Sequence, residues 1–451
     1  MAIGGSSADG MGLRHNESMD MKIFQQRRRE LMQHMEGGVA IVPTAPVRLR
    51  NRDVDYRYRP DSDFYYLTRF PEPEAVAVLV PGREHGEYIL FCRERNPDRE
   101  IWDGRRAGLD GARELYGADD AFPIEDIDEI LPGLLENRNK VFYSIGRNAE
   151  FDAHLTAWVN EVRAKSRNGV HAPGEFVDLD HLLHEMRLIK HAEEIKALKR
   201  AAKISGVAHR RAMQACRPGM KEYELEAELL YEFRKGGAEF PAYWPIVGGG
   251  ANGCVLHYRE NNCELNDGDL VLIDAGAEFD CYAADITRTF PANGRYRGEQ
   301  RAAYEIVLAA QTAAMAEVRA GKHWNEPHDA AVRVLTRGLI DLGLLKGDLD
   351  GIVEKGDFKR FYMHRTGHWL GMDVHDVGDY KVADTWREFE PGMVLTVEPG
   401  LYIAAAADIP EGFHNTGIRI EDDVLVTRNG CEVLTQDTPK TIDEIEALMK
   451  K

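Results

Sequence analysis

The sequence predicts two domains, an N-terminal α/β domain followed by an α+β domain, and two observations support this prediction. The chain has 451 residues, which is more than one hydrophobic core normally serves. Its first part alternates short apolar segments with helical patterns, whereas from about Lys190 long amphipathic helices are followed by clustered strands. We therefore place the boundary near residue 190, with domains at 21–189 and 190–451.

The first part contains four segments that are short, apolar and bounded by glycine or proline, as strands often are. They read "GGVAIVPTA", "EAVAVLVPG", "EYILFCRE" and "KVFYSIG". Helical patterns such as "GARELYGADDAF" lie between them, and the sequence there has no glycine-rich phosphate loop. Residues 1–20 lack the apolar core of a secretory signal, so we expect a flexible tail there.

The second part begins with two amphipathic helices and continues mainly as strands. The helices are "HAEEIKALKRAAKISGVAHRRAMQACRPGM" and "KEYELEAELLYEFRKGGA", and a third, "EQRAAYEIVLAAQTAAMAEVRAG", follows the first strands. We expect strands at "CVLHYRE", "DLVLIDAG", "CYAADITRTF", "MVLTVEPGLYIA" and "GIRIEDDVLVT".

Two strands of the second part share a short pattern: glycine, five residues, an acid, one residue and glycine. The acid is Asp274 in "GDLVLIDAG" and Glu398 in "GMVLTVEPG". Another acid-bearing strand follows in each case, with Asp285 and Glu421. The repeat predicts two related halves about a pseudo-twofold axis, each contributing a pair of carboxylates to one site.

These four carboxylates lie among apolar residues, where a charge is costly unless a cation compensates it. A turn at residues 279–280 would place Asp274 directly opposite Asp285, and like charges at opposed positions destabilise a sheet. An arginine could neutralise a single acid, but Arg288 and Arg419 are too few for all four. A metal centre resolves this conflict.

The segment "HRTGHWLGMDVHD" supplies the nitrogen ligand for such a centre, with His364, His368 and His375 as candidates. It does not form a zincin helix, because Arg365 replaces the glutamate of HExxH and Gly367 weakens a helix. Four carboxylates and one imidazole favour Mn²⁺, with Co²⁺, Zn²⁺ and Fe²⁺ also compatible. Four negative charges balance two divalent ions, so we expect two metal ions per subunit.

Composition argues against several classes of function. The formal charge is −19 and no basic stretch could neutralise phosphates, so we expect no nucleic-acid partner. No apolar segment approaches the ~20 residues of a membrane span, so we expect no membrane insertion. The six cysteines are scattered without a CxxC pair, which is typical of reduced thiols in the cytoplasm.

The chain resembles the Xaa-Pro aminopeptidases (aminopeptidase P) in "LIDAGAEFDCYAADITRTFPANG", "HWLGMDVHD", "VLTVEPGLY" and "GIRIEDD". These enzymes are pita-bread metallopeptidases, together with prolidase, methionine aminopeptidase and creatinase. The motifs "SDFYYLTRFPEPEAV", "EIWDGRR" and "HEMRLIK" extend the resemblance over nearly the whole chain. It implies a creatinase-like α/β N-terminal domain followed by an α+β pita-bread catalytic domain with internal pseudo-twofold symmetry.

The resemblance also implies the site residues, each at a position that matches a family motif. The implied metal ligands are Asp274, Asp285, His368, Glu398 and Glu421, and among these Asp285 and Glu421 bridge both ions. Glu398 also transfers a proton, and the other implied catalytic residues are His257, His364, His375 and Arg419. The implied substrate-binding residues are Tyr243, Tyr402, Asp63, Trp102 and Arg187.

The activity implied by the resemblance is release of the first residue from peptides with proline at the second position. In the family, a tryptophan like Trp102 reaches a neighbouring subunit's site, which implies a homo-oligomer, either a dimer or a tetramer. Prolidase has the same ligands but cleaves Xaa-Pro dipeptides, and it is the nearest alternative. A binding scaffold on the same fold is the non-enzymatic alternative, and the intact ligand set argues against it. A two-metal phosphoesterase has no phosphate-binding loop to support it.

Overall fold

The computed structural model describes residues 19–450 and forms two compact units, which meet in the sequence between His184 and Glu185. The boundary predicted between residues 189 and 190 lies just after the helix that contains this division. The tail predicted for residues 1–20 lies outside the described residues, except for its last two positions.

The N-terminal unit is built on one mixed sheet. Its strands are β1 (Val39–Pro43), β2 (Val76–Leu79), β3 (Tyr88–Cys92), β4 (Asp120–Pro123), β5 (Lys140–Phe142) and β6 (Glu175–Val177). Their order is β4-β3-β2-β1-β5-β6. Its helices are α1 (Met21–His34), α2 (Ser62–Thr68), α3 (Pro97–Asp103), α4 (Gly108–Glu114), α5 (Ile127–Leu135), α6 (Ala149–Ala164) and the start of α7 (Asp180–Leu188). The four predicted strands are confirmed as β1, β2, β3 and β5.

Helix α6 illustrates how the sequence determines these elements. The side-chain oxygen of Asn148 accepts hydrogen bonds from the amides of Glu150 and Phe151, at 3.1 and 3.2 Å, and so begins the helix. Its buried residues recur at helical spacing and pack on the sheet: Leu155, Trp158, Val159 and Val162.

The C-terminal unit contains six further helices and several short sheets. The helices are α8 (Ala192–Ala215), α9 (Glu222–Gly236), α10 (Gly298–Glu317), α11 (Glu326–Asp341), α12 (Leu349–Lys355) and α13 (Ile442–Met449). The strands are β7 (Phe240–Pro241), β8 (Ile246–Gly249), β9 (Leu270–Asp274), β10 (Ala277–Phe279), β11 (Tyr282–Ala283), β12 (Thr287–Pro291), β13 (Lys381–Val382), β14 (Thr385–Trp386), β15 (Val394–Val397), β16 (Gly400–Ile403), β17 (Thr416–Arg419), β18 (Asp422–Thr427) and β19 (Gly430–Val433). The three predicted helices are confirmed as α8, α9 and α10.

Two antiparallel strand pairs carry the four acids in equivalent places. Strand β9 ends at Asp274 and pairs with β12, which begins two residues after Asp285. Strand β15 ends one residue before Glu398 and pairs with β18, which begins one residue after Glu421. In each half an acid therefore ends the outgoing strand and another precedes the returning strand, as the internal repeat predicts.

The predicted register of the first hairpin is wrong by two residues. Asp274 pairs with Thr287, not with Asp285, because the turn lies at Asp280 and Cys281. Both turn residues have positive φ, 51° and 63°, which is typical of the tight type I′ turn that fixes hairpin register. A shift of two keeps every side chain on its face, so Asp285 becomes a diagonal neighbour of Asp274.

In the second half two acids lie directly opposite each other, as was expected for Asp274 and Asp285 in the first half. Val397 pairs with Asp422, and Gly400 pairs with Arg419 in the same register. Glu398 and Glu421 lie between these two pairs and therefore face one another across the ladder.

The segment "CVLHYRE" is not a strand, contrary to the prediction. A 3₁₀ turn covers Gly250–Cys254, and residues 255–260 belong to no ladder. No helix within residues 19–450 has the length and apolar content needed to cross a bilayer.

Candidate metal centre

The acids at the strand ends converge with one histidine. Ligand atoms of Asp285, His368 and Glu421 all lie within 4.8 Å of one another. His368 Nε2 is 3.4 Å from Asp285 Oδ2 and 3.5 Å from Glu398 Oε1. One imidazole nitrogen therefore faces carboxylates from both halves of the unit.

Asp274 joins this group through two neighbours. The hydroxyl of Tyr243 lies between Asp274 and Asp285 and contacts a carboxylate oxygen of each, at 2.5 Å for Asp274 Oδ1. Arg419 Nη2 donates to Asp274 Oδ2 at 2.5 Å. Burial, followed by the charges of Asp274 and Asp285, raises the pKa of Tyr243 well above its ordinary value, so the phenol stays protonated.

The site holds more negative charge than the chain neutralises. Burial and then the charges of Asp285, Glu398 and Asp274 raise the pKa of Glu421 well above its ordinary value. Burial also raises the pKa of Glu398 to about 7, although His368 and Arg419 oppose the shift. The charged forms of Glu421 and Glu398 are destabilised mainly by lost hydration and by the other carboxylates, which is the environment that a bound cation relieves.

The orientation of His368 fits metal binding. Its Nδ1 lies 3.0 Å from the Trp369 carbonyl oxygen, and a carbonyl only accepts, so Nδ1 carries the proton and Nε2 faces the acids. Metal-bound histidines commonly donate their second nitrogen to a carbonyl in this way. Burial alone would lower the pKa of His368, but Asp285 and Glu398 raise it to about 9.

The donor set as a whole fits divalent metal ions. Arg419 neutralises only Asp274, while Arg288 pairs with Asp422 at 2.7 Å, outside the group of four. The alternative in which each acid meets its own arginine or lysine is therefore wrong for the residues that the structure describes. Four carboxylates and one nitrogen form an oxygen-rich set of the kind that hard divalent cations prefer.

Arg419, Tyr402 and His364 form a hydrogen-bonded wall beside the acids. Arg419 Nη1 donates to the Tyr402 hydroxyl at 3.0 Å, and that hydroxyl lies 2.8 Å from His364 Nε2. His364 Nδ1 faces the Arg365 carbonyl oxygen at 2.7 Å, so Tyr402 donates to His364. Burial and then the Arg419 charge lower the pKa of His364 to about 4, which keeps the imidazole neutral.

The other two predicted histidines lie at the edge of the group. The ring of His375 packs edge-on against His368, with centroids 4.2 Å apart. Burial, followed by the charges of His368 and His257, lowers the pKa of His375. His257 is exposed and lies on the irregular segment after the 3₁₀ turn.

Arg187, Asp63 and Trp102 are the remaining predicted substrate-binding residues. Arg187 is buried and donates to Asp376 at 2.5 Å and to Asp373 at 2.7 Å, which fixes the loop that carries His375. Within the N-terminal unit, Asp63 is buried and accepts from Arg147 at 2.7 Å. Trp102, also in that unit, is 83% exposed on α3.

Two threonines orient the acids, and the sequence reasoning did not identify them. Thr287 Oγ1 donates to Glu421 Oε2 at 2.6 Å and accepts from Arg419 Nε at 3.0 Å. Thr396 Oγ1 donates to Glu398 Oε1 at 3.2 Å and accepts from the backbone amide of His368 at 3.1 Å. Each threonine lies two residues from an acid, so strand alternation could have indicated it.

Gly367 allows the His368 segment to lie close to Thr396. A Cβ at this position would lie 2.1 Å from the Thr396 carbonyl oxygen, so any other residue would push the His368 segment away from β15.

The fold and the site together define a class of protein: a two-domain enzyme with an acid-rich centre suited to metal binding. Metallopeptidase family M24 matches residues 196–428, and the N-terminal domain of aminopeptidase P matches residues 24–143. The chain therefore belongs to the aminopeptidase P group of the M24 metallopeptidases, and the predicted fold class is confirmed.

Individual relatives agree with this assignment over almost their full length. The Xaa-Pro aminopeptidase of Escherichia coli is 47% identical over 428 residues, which are 94% of this chain and 97% of the relative. The structure of Pseudomonas aeruginosa aminopeptidase PepP is similar with a TM-score of 0.95 and 60% identity, covering 96% of this chain and 98% of that one. A variant of Escherichia coli aminopeptidase P in complex with substrate gives a TM-score of 0.93 at 46% identity, covering 96% and 98%.

Proposed function

We propose that this chain is a two-metal aminopeptidase that releases the N-terminal residue from peptides with proline at the second position. The observation that carries the proposal is the convergence of Asp285, Glu398 and Glu421 around His368, with Asp274 joined to them through Tyr243. The intact set of donors, in a member of the aminopeptidase P group, supports an active enzyme over a binding scaffold.

These five side chains would hold the divalent ions. When bound, such ions would activate water near neutral pH and polarise the scissile carbonyl. Glu398 would take a proton from the nucleophile and pass it to the proline nitrogen, the role that the resemblance to the aminopeptidase P family implies. Arg419 and Tyr402 hold His364 in a neutral form beside Glu398, and His364 Nδ1 lies 3.9 Å from Glu398 Oε2.

We infer Mn²⁺ as the metal because oxygen donors outnumber nitrogen four to one. A zinc-substituted form of Escherichia coli aminopeptidase P in complex with product shows that the site of that relative also accepts Zn²⁺.

The exposed pair Ile101 and Trp102, 80% and 83% accessible, supports a homo-oligomer, because such apolar surface is commonly covered by a partner. Among the described residues no two cysteines form a disulfide, which supports a cytoplasmic location.

One assay separates the aminopeptidase from prolidase. Metal-stripped protein restored with Mn²⁺ is offered an Arg-Pro-Pro tripeptide and an Xaa-Pro dipeptide. We expect release of arginine from the tripeptide. In the variant Glu398→Gln, loss of proton transfer should lower kcat for the tripeptide by about 10²–10⁴-fold. The control Glu411→Gln changes an exposed glutamate and should leave kcat unchanged. Cleavage of the dipeptide alone would overturn the aminopeptidase assignment.

A further inference from the structure

Glu222, in the first turn of α9, is a fully buried carboxylate outside the metal centre. Its two oxygens accept four hydrogen bonds, all from the segment 249–263. The donors are the Gly249 amide at 2.8 Å, Asn252 Nδ2 at 2.9 Å, the Tyr258 hydroxyl at 2.8 Å and the Cys263 amide at 2.8 Å. This segment carries His257 and replaces the strand that the sequence predicts.

The start of α9 holds the segment in several ways. The positive end of the helix dipole and four donors stabilise a buried carboxylate that would otherwise be costly. The Glu222 amide donates to the Cys263 carbonyl at 3.0 Å. One turn later, Glu226 accepts from Asn261 Nδ2 at 2.9 Å. The ends of the segment are thus tied to one rigid helix.

The other side of the segment packs against β17 and Tyr402. A Cβ on Gly417 of β17 would lie 2.1 Å from the Gly253 carbonyl oxygen, so the 3₁₀ turn lies directly on that strand. Leu256 and Tyr258 pack in one apolar cluster with Tyr402, which hydrogen-bonds to His364. His257 lies between the two packed residues and is exposed.

We propose that Glu222 is a positioning residue that sets the place of His257 in the active site through the segment 249–263. This proposal rests on the proposed function, because the role of His257 does. The hydrogen bonds that the Glu222 carboxylate accepts all come from the segment 249–263, so its effect passes through Tyr258 and the amides of the segment.

The test is a double-mutant cycle on kcat/KM for the Arg-Pro-Pro tripeptide. Glu222→Gln keeps the size of the side chain but turns one acceptor oxygen into a donor, which faces two of the four hydrogen-bond donors. We expect a loss of about tenfold in kcat/KM, with the bound metal content unchanged. The control Glu228→Gln makes the same change on the same helix at a residue that pairs with Arg211, and should have no effect.

In a His257→Ala background, Glu222→Gln should lower kcat/KM by less than about twofold, because the residue it positions is already absent. Equal losses in the two backgrounds would overturn the proposal, since Glu222 would then act independently of His257.

Hydrogen exchange provides a readout that does not depend on activity. The amides of residues 249–263 should exchange faster in Glu222→Gln, with exchange elsewhere unchanged. Unchanged exchange in this segment would overturn the proposal, whether or not the protein cleaves peptides. Failure of the unmodified protein to cleave the tripeptide would instead contradict the proposed function. Tyr258→Phe removes a single donor and serves the same tests if Glu222→Gln does not fold.

Discussion

Glu421 and Asp422 are neighbours in the sequence, and both are buried, yet their environments are opposite. Asp422 accepts from Arg288 at 2.7 Å and from Lys440 at 2.6 Å. Burial would raise the pKa of Asp422, but these two cations lower it below its ordinary value. The pKa of Glu421 is raised, since burial and the other acids dominate over Arg419. These two consecutive residues therefore differ in role: Asp422 stabilises the fold, whereas Glu421 belongs to the proposed metal site.

The same contrast holds elsewhere in the C-terminal unit. Asp376 is buried between Arg187 and Lys190, at 2.5 and 2.9 Å, and its pKa is lowered. For Asp376, as for Asp422, the chain supplies the cations that neutralise a carboxylate fixing the fold, whereas Glu222 is stabilised by four uncharged hydrogen-bond donors. At the metal centre the acids outnumber the cations that pair with them.

The largest expected effect is on stability, in Asp422→Asn. The substitution leaves Arg288 and Lys440 without their carboxylate in a buried position, which typically costs about 3–5 kcal/mol. Urea unfolding at pH 7 measures it, and Asp437→Asn, at an exposed aspartate, is the control. A fall in the free energy of unfolding of less than about 1 kcal/mol would contradict the account, because Asp422 would then not be needed to neutralise Arg288 and Lys440.

A smaller effect, with a defined pH dependence, is expected for Asp376→Asn. A carboxyl whose folded pKa is depressed stabilises the protein above its unfolded pKa, which is ordinarily 3.8, and loses this effect as pH falls through the folded value. Asp376→Asn should therefore cost about 3 kcal/mol at pH 7 and progressively less below pH 3.8. Unfolding curves of both proteins between pH 7 and pH 3 test this. A difference that grows as pH falls would contradict the sign.

Local patterns in the sequence determined the elements well but not their long-range contacts. The strands and helices followed from periodicity, and the faces of Asp274 and Asp285 were right although their register was not. The turn at Asp280 and Cys281 was missed because cysteine rarely adopts positive φ, so no local signal marked it.

The sequence predicted the acids of the site but not the residues that hold the site in place. The segment around His257 was read as a strand because its own pattern alternates. Its real conformation depends on Glu222, which lies 27 to 41 positions away from the backbone amides and side chains it holds. Thr287 and Thr396 were missed although strand alternation places each on the same face as an acid two residues away, because only the charged residues on these strands were considered.

The most direct test of the central claim, that the four acids and His368 converge on divalent ions, compares Glu421→Gln with the unmodified protein with and without Mn²⁺. Without metal, removing one repelling charge should raise the free energy of unfolding by about 1 kcal/mol. With Mn²⁺ the order should reverse, because bound metal stabilises the unmodified protein and the variant loses a ligand. The claim would be contradicted if Glu421→Gln were less stable than the unmodified protein without metal and gained as much free energy of unfolding from Mn²⁺.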